Sequence, residues 1–151
     1  DDTGSRGLGD VYKRQTYWMN RQIIDDYPME LVSPVDWTDE SQNINDRVRS
    51  YLDVNCGHCH SPTGNANSTG LYLHLDETRD IHLGLYKKPV ATGRGSGGLK
   101  YSIVPGKPDE SILLHRMISL DPGVMMPESG RALSHTEAVD MVREWILVME
   151  D

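Results

Sequence analysis

Five consecutive residues carry the densest chemistry in the chain: Cys56, Gly57, His58, Cys59 and His60. They include the only two cysteines among 151 residues. In a helical turn, residues three and four positions apart share a side. Both thiols and the imidazole of His60 are therefore presented together. A second reactive stretch is Met125-Met126-Pro127-Glu128. It offers a soft thioether on a loop, and the proline ring restricts the backbone there.

Three chemistries fit the first stretch. A C-x-x-C-H run is the attachment pattern of c-type haem. Its two thiols reach the two vinyl groups of one porphyrin, and the histidine after the second thiol supplies a ring nitrogen to the iron. Zinc is the second reading, with His58, His60, His74 and His82 as recruits, but no second cysteine pair completes a tetrahedral set. A redox dithiol is the third, and it wants a βαβ context that the chain does not offer. Haem c, one per chain, is the expectation, tethered by Cys56 and Cys59 and ligated by His60. Met126 is the expected sixth ligand, preferred over Met125 for its neighbour Pro127. His74 and His82 read as surface residues.

Composition limits the partners. A formal net charge of −8 and a pI near 5.1 argue against nucleic acid and anionic membrane. They favour a redox partner with a basic docking face. Hydrophobic residues make up 37% and phenylalanine is absent, a thin core that an attached haem would enlarge. No apolar run reaches the ~18 residues of a membrane span. Covalent haem attachment takes place outside the cytoplasm, so a periplasmic or otherwise exported protein is expected, its signal peptide upstream of this fragment.

Helices must position these groups. Residues 41–55 have the helical spacing of Ile44, Val48, Tyr51 and Leu52, with Asp46, Arg47, Arg49 and Asp53 outward, and they run straight into the cysteines. Leu71 to Asp76 reads as extended chain or a short strand. Pro108-Asp109-Glu110-Ser111 opens a helix to about Leu120, with proline and acids in its first turn. Ser134 and Glu137 form a capping box for a last helix to Met149, whose buried face carries Val139, Val142, Trp145 and Ile146. Residues 41–151 form the domain. Residues 16–40 are a linker or the remnant of an upstream region, with a short helix to about Asp26 and then proline-driven extended chain. Residues 1–15 read as a non-native leader: Asp10 to Gln15 resembles an in-frame translation of a sequencing-library adapter.

Gly93-Arg94-Gly95-Ser96-Gly97-Gly98 matches G-x-G-x-x-G without the strand and helix that give that pattern meaning. Either it lets backbone approach a flat ligand, with Arg94, Lys100 and Tyr101 meeting haem propionates, or it is a solvated loop.

Helix, C-x-x-C-H, loops, helix, Met-Pro loop, helix is an order that resembles the class I cytochrome c fold. Asn55 to His60, Gly93 to Gly98, Ile103 to Pro108, Met125 to Glu128 and Arg143 to Ile146 are similar to the C-terminal cytochrome domain of large exported bacterial haem proteins. The resemblance implies an all-α fold, first and last helices crossed, and the haem in the crevice between them. Any second haem would lie upstream. The expected function is electron transfer with His60 and Met126 in the axial positions, as a carrier or relay domain rather than an enzyme. The alternatives are a catalytic, peroxidase-like or oxidase-linked haem domain with an open sixth position, and a zinc-binding structural module.

Overall fold

The computed structural model describes residues 16–26 and 34–150. The proposed leader at 1–15, and Tyr27, Pro28 and Leu31 of the linker, lie outside them. The chain divides into two compact units, Asp1–Pro34 and Val35–Asp151.

In the first unit, residues 16–20 form helix α1. It stops well short of Asp26, because Ile23 N–H returns to Trp18 O at 2.9 Å and Gln22 takes a left-handed φ of 55°.

The second unit is helical, with two isolated bridges, Leu85 with Ile103 and Tyr101 with Ser111, as the only β pairing among the described residues. Helices α2 (Ile44–Leu52), α3 (Asp80–Leu83), α4 (Ile112–Ile118) and α5 (Thr136–Leu147) are joined by turns and short 3₁₀ segments. None is long and apolar enough to cross a membrane.

Helix α2 begins where a backbone donor finds a side-chain partner. Asn43 caps α2, its side chain accepting from Asn45 N–H at 2.8 Å. The preceding residues are held in turns by Asp36 and Asp39, which bond Thr38 and Ser41. That is why the helix starts at Ile44 and not at Ser41. The segment opened by Pro108 is a 3₁₀ turn, Pro108–Glu110, separated from α4 by extended Ser111. The fully buried Ser111 hydroxyl bonds Val104 N–H and Lys107 O, fastening one segment to the other.

The capping box expected at Ser134 does not form. Ser134 Oγ donates to Met117 O on α4, and α5 starts at Thr136 with His135 before it. Leu71 to Asp76 is not a strand either. Tyr72 and Leu73 donate to His82 O and His60 O, and Leu75 to the Asp53 carboxylate.

The core lies where α2 and α5 meet. Val48, Tyr51 and Leu52 share one buried cluster with Val139, Val142, Trp145 and Ile146. Trp145 Nε1 donates to Asn45 Oδ1 at 3.1 Å, tying the two helices. Trp37 packs edge-on against Tyr51 and His135, with ring centroids 5.5 and 5.1 Å apart.

Candidate functional site

Helix α2 does not end at Leu52 but widens into a π turn, Asp53–Gly57. Single π turns inside helices occur frequently at functional sites. His60 and Cys59 then close a helical turn onto Cys56, their N–H groups donating to Cys56 O at 2.8 and 3.1 Å. Both cysteines and His60 thus belong to one backbone-bonded turn. Outer segments lock it from behind. Ala66 N–H donates to Cys59 O and Leu73 N–H to His60 O. Gly64 sits directly on the Cys59 carbonyl, where a Cβ would collide.

Arg49 departs from the outward role its spacing suggests. Its Nη2 donates to the carbonyls of His74, Leu75 and Glu77 at 2.7 to 3.0 Å. It holds the 74–77 segment against the turn, where a Cβ on Gly57 would press on His74. Burial lowers the pKa of this guanidinium from its ordinary value.

The turn opens onto a cavity of about 900 Å³, at the upper end of the ~300–1,000 Å³ of cofactor sites. Cys56, Cys59, His60, Met126 and Pro127 all line it. Leu71, Leu73, Ile112, Leu113, Met117 and Val139 supply apolar wall. Both cysteines are free. Burial pushes the Cys56 thiol up to about 12, with Cys59 adding to the shift. Reactive dithiols need a depressed thiol pKa, so this environment opposes the redox-dithiol reading. Burial likewise holds His60 below the ordinary imidazole value. A backbone hydrogen bond to Leu71 works against that shift and is outweighed by burial. Among the described residues no three His, Cys, Asp or Glu side chains gather as a metal-holding group, whereas a structural zinc site takes four ligands.

Met126 reaches the cavity from the loop between α4 and α5. Its N–H donates to Arg116 O at 3.0 Å, and Arg116 Nε donates to Val124 O at 2.8 Å. The Met126–Pro127 peptide is cis. Arg131, farther along the same loop, donates to Met117 O, Arg116 O and Ser119 O at 2.8, 3.0 and 2.6 Å. The last carbonyls of a helix have no partner within it, and here a guanidinium satisfies two of them, Arg116 O and Met117 O, together with Ser119 O just beyond α4. Met125 is half-buried and outside the cavity lining.

The residues expected to meet propionates are elsewhere. Arg94 pairs with Asp121 at 3.0 Å. Lys100 and Tyr101 line a separate, shallower hollow with Tyr86, Pro105 and Lys107. The glycine-rich segment forms a 3₁₀ turn at Gly93–Ser96, and its close approaches are to α4: Gly95 to the Arg116 guanidinium and Gly97 to the His115 ring. His74 and His82 do not line the cavity. His82 stacks on Tyr72 with centroids 4.8 Å apart and bonds Gly70 O.

Three cations that do line the cavity, Lys87, Arg116 and Arg131, escaped the reading of the sequence. Arg116 had one signal, a basic residue in the last turn of a helix. Arg131 had none, since its carbonyl partners lie 12 to 15 positions earlier.

Comparisons with protein-family models, with curated proteins and with solved structures found no match to this chain. The functional reading therefore rests on the motif and on the geometry around it.

Proposed function

We propose that the second unit is a class I cytochrome c-like domain of an exported protein. It would hold one haem c in the large cavity and act in electron transfer, as a carrier or relay. The observation that carries this reading is convergence. Cys56, Cys59, His60 and Met126, chosen for their chemistry, all line one cavity of cofactor size. The apolar wall is consistent with a large flat guest. So is the rim, because Leu133 and Val90, 76% and 68% exposed, are the two most exposed large hydrophobic residues described, and both line the cavity.

Haem, when bound, supplies the one-electron couple. The chain's residues would do the rest. Cys56 and Cys59 would tether the group through thioethers, and His60 and Met126 would supply a ring nitrogen and a thioether to its iron, a donor pair suited to electron transfer at a raised potential. Lys87 and Arg116 place positive charge at the cavity wall, suited to propionates. The surrounding −8 charge favours a partner with a basic face.

The test is the protein matured in an exporting host with haem-attachment machinery. A Soret band that survives acid–organic extraction, at one haem per chain, is expected. Cys56→Ala with Cys59→Ala should release the pigment on extraction. No Soret band in the wild type ends the proposal.

A further inference from the structure

We infer that Arg131 is a positioning residue for Met126, a brace that holds the methionine loop closed over the cavity and keeps the sulfur on the iron. The inference rests on the haem reading above. Its own basis is the bonding around the end of α4. The loop from Asp121 to Ser134 has no regular secondary structure, and side chains tie it to the end of α4. Arg131 makes three of those ties, with one guanidinium on the carbonyls of residues 116, 117 and 119. One of these, Arg116 O, also accepts from Met126 N–H. The same carbonyl therefore joins the brace to the residue it would position. Arg116 completes the closure from the other side through Val124 O.

The chemistry suits a latch. A guanidinium presents several donors in a fixed fork, and bonds from a charged donor are stronger than neutral ones. Arg131 forms no side-chain ion pair with a carboxylate at salt-bridge distance among the described residues. Its charge is committed to helix-end carbonyls, where a cation is favoured. A lysine would offer the charge without the fork.

The experiment compares haem-loaded wild type, Arg131→Gln, Arg131→Lys and Ser134→Ala. The control Ser134→Ala removes a different donor to one of the same carbonyls, Met117 O. The readouts are the near-infrared sulfur-to-iron band of the oxidised protein, carbon monoxide binding by the reduced protein, and melting temperature. Arg131→Gln should shift the sulfur-on equilibrium toward sulfur-off about tenfold or more, the size expected for losing charged hydrogen bonds, so the band weakens and carbon monoxide binds more readily. Arg131→Lys should fall between, and it carries the test if the glutamine variant does not fold. Ser134→Ala should keep the wild-type band. If both Arg131 variants melt lower yet keep the full band and exclude carbon monoxide, Arg131 is a fold staple only and the inference is overturned. A wild type with haem but no sulfur band overturns Met126 as ligand, and the positioning role with it.

Discussion

The two groups of candidate ligands that line the cavity are held by opposite means. The cysteine–histidine wall is a continuation of α2, closed by backbone bonds between residues three and four apart. The methionine wall is a loop held by a few turn bonds to Asp121 and by two arginine side chains reaching to distant carbonyls. A local turn has its geometry written into consecutive positions. A braced loop depends on partners that only the folded chain brings together. The first is expected to resist single changes of side chain and yield to changes of backbone space. The second should respond to single side chains with little loss of fold.

The largest effect should come from the methionine wall. Met126→Ala is expected to abolish the sulfur-to-iron band, lower the potential and open the iron to carbon monoxide or cyanide, as read by absorption and redox titration. Met125→Ala should leave the band and cost about 1–2 kcal/mol in packing, since its side chain is half-buried. The reverse pattern would make Met125 the ligand.

Backbone space is the weak point of the other wall. Gly64→Ala forces a Cβ onto the Cys59 carbonyl, and a cost of about 1–3 kcal/mol is typical of such overpacking. Denaturant unfolding should show it as a lower midpoint. An unchanged midpoint would mean that the turn yields more readily than its bonding suggests.

The smallest effect lies in the segment behind that turn. Glu77, 4% exposed, is held at about 2 instead of the ordinary 4.5, first through the side-chain bonds from Arg79 at 2.7 and 2.9 Å. A depressed carboxylate stabilises the fold fully above its unfolded pKa, and that contribution disappears as pH falls through the folded value. Melting temperature should therefore decline as pH drops from about 4.5 toward 2, and Glu77→Gln should flatten that part of the decline. Equal slopes for the two proteins would show that the pair contributes nothing.

What could be read in the sequence follows the same division. Cys56, Cys59 and His60 were legible because spacing alone puts them on one turn. The buried faces of α2 and α5 were legible from periodicity, and Val48, Val142 and Ile146 are fully enclosed. Met126 was legible as chemistry, and the structure brings it to the same cavity. Local rules misled where a tertiary partner took the group they rely on. The Ser134 hydroxyl went to Met117 O instead of a helix cap. Arg49 turned inward to three carbonyls. Arg94 went to Asp121, and the cavity cations came from Arg116 and Arg131, whose partners no sequence window contains.

The π turn at Asp53–Gly57 has a consequence for angular phase. An α-helix repeats every 3.6 residues, so a four-residue spacing drifts by roughly 40° at each step. Val48, Leu52, Cys56 and His60 follow that spacing, and three steps of regular helix would swing His60 about a third of a turn away from Val48. A π turn takes about one residue more per revolution, which absorbs most of that drift. The turn thus works as a vernier between two periodicities. Val48 and Leu52 stay aimed at α5 while Cys56 and His60 stay aimed at the cavity, on a backbone that never breaks.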